Sequence, residues 1–123
     1  MTRQVRIFLL EDDPGLSKVL AFHLGQLGCK VCGTLAYGEG AFEKIQETKP
    51  DLVLIDIKLA GRMDGIDVGE LLANRTDIPF IYLTSLTDKQ TLLRAGDTVP
   101  EGYLKKPYDI EQLRITIEMA LNR

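Results

Sequence analysis

Long apolar runs are missing from this sequence of 123 residues. The most continuous of them, such as residues 52–55, falls far short of the roughly 20 residues that a membrane-spanning helix requires, so no span is expected. Residues 1–6 carry two arginines but no apolar stretch or cleavage site of the secretory kind, which predicts a cytoplasmic protein. Low-complexity tracts are absent and prolines number only 5, which excludes disordered and collagen-like chains. Neither sign of charge dominates, with 15 basic and 18 acidic side chains for a net charge of −3, and the longest like-charged run is Glu11, Asp12 and Asp13. Without a basic stripe, direct nucleic-acid binding is not expected. Cysteine is scarce as well. Cys29 and Cys32 have the C-x-x-C spacing of redox pairs and half zinc sites, but no other cysteine completes such a site and the single histidine, His23, lies in a helical pattern. The pair therefore reads as ordinary packing, and His23 as a partly buried helix residue and not a phosphohistidine.

What is present suits one folded domain, with 45% hydrophobic and 27% charged residues. Residues 5–10 (VRIFLL) form a short apolar run ending in the three acids, as a strand buried on both faces would. Pro14 then suits a first helical turn, Asp13 its cap, and Leu16, Val19, Leu20, Leu24 and Leu27 recur at helical spacing up to Gly28. The same unit repeats: a strand over 30–36 and a helix over 41–47, a strand over 52–57 (LVLIDI) and a helix over 66–72, a strand over 80–83 (FIYL). Thr87 with Gln90 resembles a capping box opening a helix toward Arg94. A brief strand over 102–105 and a helix begun by Asp109 and Gln112, with Ile110, Leu113, Ile117 and Leu121 on one stripe, complete the pattern. Strict alternation predicts an α/β fold, a doubly wound parallel sheet of five strands with five helices on its two faces. Elements and connections of ordinary length use up the chain, which predicts a single domain over 1–123 with no inserted or output domain.

Ligands of such sheets bind beyond the carboxyl ends of the strands. Polar residues stand at those ends: Glu11, Asp12 and Asp13 after the first strand, Asp56 in the third, Thr84 and Ser85 after the fourth, Lys105, Lys106 and Pro107 after the fifth. Carboxylates gathered on one rim repel one another unless a cation sits among them, and a hard divalent ion such as Mg2+ answers that need with oxygen ligands. An aspartate within a buried strand is costly without a partner, which marks Asp56 as functional.

These landmarks together resemble the receiver domain of two-component response regulators: Glu11 and Asp12, Asp56, the Met63-Asp64-Gly65-Ile66 segment, Thr84, and Lys106-Pro107 after Tyr103. The likeness covers essentially the whole chain and implies a flavodoxin-like strand order 2-1-3-4-5. It implies that Asp56 accepts a phosphoryl group from a histidine kinase, a histidine phosphotransfer protein or a small acyl phosphate. It implies that Asp12, Asp56 and the carbonyl of Lys58 hold Mg2+, with Glu11 acting through water. Lys106 would pair with Asp56 and then with the phosphoryl group, Thr84 would donate a hydrogen bond to it, and Tyr103 would swing inward into the space Thr84 vacates. The surface of the fourth helix, fifth strand and fifth helix would thereby switch, controlling a downstream protein or an effector domain and offering a face for a homodimer. Lys105, on the opposite strand face from its neighbour, reads as solvated surface. The resemblance also implies a cis Lys106-Pro107 bond. The segment from Asp56 to Gly65 departs from the family habit, with Ala60 where proline is common and Gly61 adding backbone freedom. Lys58 and Leu86 occupy the two positions that tune hydrolysis in the family, and neither is a carboxylate or amide, so the aspartyl phosphate is expected to be long-lived.

Three other readings fit less well. A flavin carrier needs a hydroxyl- and glycine-rich phosphate loop after the first strand, where this chain has three acids. An aspartyl-phosphate phosphatase needs a second aspartate two residues after the nucleophile, where this chain has Lys58. A pseudo-receiver, binding partners without phosphorylation, would not need the complete set of acids and lysine.

Overall fold

The apolar runs close as strands and the amphipathic stretches as helices in the computed structural model, which describes residues 3–85 and 88–122. Chain order is β1 (Arg6–Leu10), α1 (Pro14–Gln26), β2 (Lys30–Leu35), α2 (Ala41–Thr48), β3 (Leu52–Asp56), α3 (Gly65–Arg75), β4 (Phe80–Thr84), α4 (Lys89–Gly96), β5 (Gly102–Lys105) and α5 (Ile110–Leu121). All strand pairs are parallel and the sheet order is β2-β1-β3-β4-β5, the doubly wound flavodoxin-like arrangement.

Alternation along the strands divides the core in two. Ile7, Leu9, Leu52, Leu54, Ile81, Leu83 and Leu104 face α1 and α5, meeting Leu20, Leu24, Leu113, Ile117 and Ala120. Phe8, Leu10, Val53, Ile55, Phe80 and Tyr82 face α2, α3 and α4, meeting Phe42, Ile45, Ile66, Val68, Leu72 and Ala95. Strands β1, β3 and β4 are covered on both faces, which is why they read as unbroken apolar runs and not as alternating ones. Each large side chain so buried contributes roughly 1.5–3 kcal/mol. Cys29 packs against the first cluster and Cys32 against the second, and both are free thiols, as ordinary packing predicts. Burial pushes both thiols up from their ordinary pKa.

Helix starts follow the caps. Asp13 accepts from the Gly15 and Leu16 N–H groups with Pro14 in the first turn of α1, while Asp109 and Gln112 form the reciprocal box that opens α5. Helix α4 differs from expectation. Its cap is Asp88, whose carboxylate accepts from the Thr91 N–H, and Thr87 lies outside the described residues. Helix α3 runs further than the apolar spacing suggested, because Asp64 and Asp67 cap it reciprocally at Gly65 and it continues to Arg75. The apolar stripe of α1 is only partly core. Leu20 and Leu24 are buried, whereas Leu16 and Val19 are half exposed and line a cavity of about 390 Å³ with His23, Leu83, Pro107 and Tyr108. His23 is partly buried there, with Nδ1 3.4 Å from the Tyr108 hydroxyl.

Candidate functional site

A wholly parallel sheet delivers every strand end to one rim. Asp56 closes β3, Thr84 closes β4, Glu11 and Asp12 follow β1, and Lys106 follows β5. Glu11, Asp56 and Thr84 are buried and Asp12 is exposed. One carboxylate oxygen from each of Glu11, Asp12 and Asp56 lies within 4.8 Å of the other two. The Lys106 ammonium bridges two of them, 2.5 Å from Asp56 Oδ2 and 3.0 Å from Glu11 Oε1. The Lys106 N–H donates to the Thr84 carbonyl, which ties the lysine's backbone to the end of β4, and the Lys106–Pro107 peptide bond is cis.

Backbone donors complete the frame. The Lys58 N–H donates to Asp56 Oδ1 at 3.1 Å, and the Asp13 N–H to Glu11 Oε2 at 3.3 Å. Gly65 at the head of α3 donates its N–H to the Ile57 carbonyl, and its backbone approaches so near that a Cβ there would collide with the Asp56 carbonyl oxygen.

The charges do not balance within the protein. Burial and the neighbouring Asp56 carboxylate raise the Glu11 carboxyl above its ordinary pKa, and the Lys106 ammonium only partly offsets them. Asp12, though exposed, is also raised, by partial desolvation at the rim and then by its neighbour Glu11. Burial works against the Lys106 ammonium, but Asp56 and Glu11 outweigh it and hold its pKa above the ordinary value. Three carboxylates and one ammonium are left short of positive charge, and their oxygens are hard donors, so the residues present fit a hard divalent cation. Such a set can hold a cation, offer Asp56 as a nucleophile and meet a newly arrived anion with Lys106.

The residues singled out in the sequence take these places. Glu11, Asp12, Asp56, Thr84 and Lys106 share the rim, while Lys58 follows β3 with its side chain in solvent. Lys105 is exposed. Tyr103 is 44% exposed, pairs with Tyr82 across β4 and β5, and its ring centroid is 6.0 Å from that of Tyr82. Leu86 lies outside the described residues.

Three features escaped the sequence reading. Arg94 of α4 grips the head of α3, with Nη1 2.6 Å from Asp64 Oδ2 and Nη2 2.7 Å from Asp67 Oδ1. Tyr82, fully buried, shares a 2.6 Å hydrogen bond with the Thr98 hydroxyl, which donates to the Ala95 carbonyl at the end of α4. Burial pushes the Tyr82 hydroxyl up to about 12. Glu39, between β2 and α2, binds the loop after Asp56. Only the acceptors of the first carried a local signal, since Asp64 followed three residues later by Asp67 has the spacing of a reciprocal cap, and nothing in the sequence marked Arg94 as their partner.

Comparison with known proteins agrees with this geometry. The sequence model of the response regulator receiver domain matches residues 7–118. The chain is similar to the transcriptional regulatory protein PdtaR of Mycobacterium tuberculosis, 34% identical over 118 residues that make up 96% of this chain and 57% of that protein. It is similar to the DNA-binding response regulator MtrA of Mycolicibacterium smegmatis, 31% identical over 99% of this chain and 53% of that protein. The chain thus spans about half the length of these curated relatives. Among solved structures, the signal receiver domain of a modulated diguanylate cyclase from Desulfovibrio desulfuricans superposes with a TM-score of 0.92 at 34% identity, covering 98% of this chain and 95% of that one. The BeF3-activated receiver domain of Klebsiella pneumoniae RstA gives a TM-score of 0.87 at 30% identity, covering 96% of this chain and 99% of that one. No helix among the described residues is long and apolar enough to cross a membrane. Fold, ordered rim residues and relatives agree, and the chain belongs to the response regulator receiver domain family of two-component signalling, whose members are signalling domains and not classical enzymes.

Proposed function

We propose that the chain accepts a phosphoryl group on Asp56 in a magnesium-dependent reaction and that acceptance switches the surface formed by α4, β5 and α5. The observation that carries this reading is the meeting of three carboxylates within 4.8 Å with one ammonium 2.5 Å from Asp56. A carboxylate oxygen of Asp56 would attack phosphorus, forming an O–P bond as the P–N bond to a donor imidazole breaks and the imidazole leaves with the bonding pair. A small acyl phosphate would serve equally, losing its carboxylate. Asp12, Asp56 and the Lys58 carbonyl would hold Mg2+, with Glu11 acting through water. When bound, the ion supplies the positive charge that lets an anionic nucleophile approach an anionic donor. Lys106 would then exchange Asp56 for a phosphoryl oxygen, and the Thr84 hydroxyl would donate to the same group. Tyr103, half exposed over α4, would turn inward as Thr84 shifts.

The donor on this reading is a histidine kinase or histidine phosphotransfer protein. Leu16 and Val19 of α1 are half exposed in a cavity that Glu11 also lines, and such apolar surface beside the acids suits a protein donor. The switched surface would control a downstream protein, an effector domain or a second copy of the chain, in the cytoplasm. Chemical turnover would be confined to the domain's own phosphorylation and the hydrolysis of its aspartyl phosphate. Incubation with Mg2+ and acetyl phosphate followed by intact mass measurement tests the reading. One phosphoryl group should add to the parent and none to Asp56→Asn, and Asp12→Ala should lose the magnesium-dependent modification. Addition to both the parent and Asp56→Asn, or to neither, refutes it.

A further inference from the structure

The loop that leaves Asp56 is held at both ends, and only one end belongs to the acid cluster. Near Asp56, the Lys58 N–H donates to Oδ1 and the Gly65 N–H to the Ile57 carbonyl. At the far end, the connection from β2 to α2 runs alongside, with Tyr37 and Ala60 forming an isolated parallel bridge. Beyond that bridge, Glu39 Oε1 accepts from two successive backbone donors, the Arg62 N–H at 2.6 Å and the Met63 N–H at 3.0 Å. Met63 foremost, these donors hold the Glu39 carboxyl below its ordinary pKa.

Gly61 makes this grip possible. Its φ of +89° lies in the left-handed region, and a Cβ at that position would come within 2.6 Å of Glu39 Oε2. The backbone freedom that the sequence suggested at this glycine is therefore taken up by a specific contact. Without Glu39, the segment from Lys58 to Met63 would keep its Asp56 anchor, Leu59 and Met63 against the core and the bridge at Ala60, but the Arg62 and Met63 N–H groups would lose their acceptor beside a left-handed glycine.

Resting on the reading of Asp56 as acceptor and the Lys58 carbonyl as a ligand, we propose that Glu39 is a positioning residue for the phosphoryl-accepting site. Its Oε1, by holding the Arg62 and Met63 N–H groups, fixes the loop so that the Lys58 carbonyl stands ready beside the Asp56 carboxylate before a cation arrives. Loss of the grip transfers the ordering of the loop to the binding step, so cation affinity falls while the rate at saturating cation does not. Partners that orient metal ligands are typically worth 10–100-fold in affinity, and Glu39, acting through backbone, should be worth about 3–10-fold.

The test uses the full chain with Glu39→Ala and Glu39→Gln. The glutamine keeps an Oε1 that accepts both N–H groups, while alanine does not. Three quantities are read: the Mg2+ dissociation constant by calorimetry without phosphodonor, hydrogen exchange of the Arg62 and Met63 amides without metal, and the acetyl phosphate reaction at saturating Mg2+ by intact mass. Glu39→Ala should weaken Mg2+ binding about 3–10-fold and speed exchange of both amides, with the saturated rate within about twofold of the parent, and Glu39→Gln should restore the first two. Unchanged Mg2+ affinity in Glu39→Ala overturns the proposal, and so does a glutamine variant as weak as alanine, which would make charge the cause. Gly61→Ala, which displaces Glu39 from the other side, should share the alanine phenotype. A parent chain that binds no Mg2+ refutes the site reading itself, a result distinct from a parent that binds and an alanine variant that binds equally well.

Discussion

Replacing Lys106 with methionine isolates the electrostatic balance of the rim, because the side chain keeps its length and loses its charge. In the parent, the ammonium stands 3.0 Å from Glu11 and 2.5 Å from Asp56. Two carboxylates no more than 4.8 Å apart repel by about 3.5 kcal/mol at an effective dielectric of about 20. Lys106→Met leaves that repulsion without its counter-charge. The lysine side chain is 22% exposed and water reaches the cluster, so the screened cost in metal-free protein at pH 7 should be about 2–3 kcal/mol, or roughly 6–12 °C in Tm. The sign with pH follows from the Glu11 carboxyl, which burial and Asp56 raise above its ordinary value. A raised carboxyl binds its proton more tightly in the folded state, so stability is gained as pH falls from neutral toward about 4.3, and the penalty shrinks over that window. Added Mg2+ should raise the Tm of the variant more than that of the parent, since a competing internal cation has gone. Thermal unfolding of both proteins at pH 7 and pH 5, each with EDTA and with Mg2+, reads all of this. Equal Tm values in EDTA, or a penalty that grows on acidification, would refute the reasoning.

The contact between α3 and β4 predicts a coupled pair. A Cβ at Gly69 would collide with the Tyr82 hydroxyl, so Gly69→Ala should cost about 1–3 kcal/mol in chemical denaturation, and adding Tyr82→Phe should recover about 1 kcal/mol; strict additivity would count against the contact. Arg94 predicts an acid-sensitive term. Burial alone would raise the Asp64 carboxyl, but Arg94 and the Asp67 N–H hold it below its ordinary value. Its contribution is present above about pH 4 and lost as pH falls through the depressed value, so Arg94→Ala should be destabilised by less than about 1 kcal/mol at pH 7 and should match the parent in strong acid. The aspartyl phosphate of the parent should outlast that of Lys58→Asn/Leu86→Glu severalfold in a decay assay by intact mass, and equal or faster decay in the parent would remove those two side chains as the cause.

The fold and the rim were readable because each leaves a mark within a few residues. A buried strand ending in acids, as Leu10 gives way to Glu11, and an aspartate interrupting residues 52–57 are local contrasts between burial and charge. Five parallel strands then place such contrasts together without further information. Boundaries were less readable where competing caps stood side by side, as at α4, where Asp88 supplies the cap. The α1 stripe misled because Leu16 and Val19 have helical spacing but line an open cavity and not the core. Glu39, Arg94 and Thr98 could not be found because each acts on a partner from another element of the fold, and an exposed carboxylate or guanidinium carries no sign of which backbone or side chain it will meet.

The fit of Tyr82 beneath α3 constrains how this sequence can drift. A relative that acquires any side chain at position 69 must first shorten the aromatic at 82, and one that keeps the phenol is bound to glycine, so the two sites form a single heritable character. Losing the phenol also strips the Thr98 hydroxyl of its buried partner and leaves that hydroxyl its bond to the Ala95 carbonyl at the end of α4. Substitutions at these three positions should therefore travel as a set through descendants of this chain, although none of them touches the acidic rim.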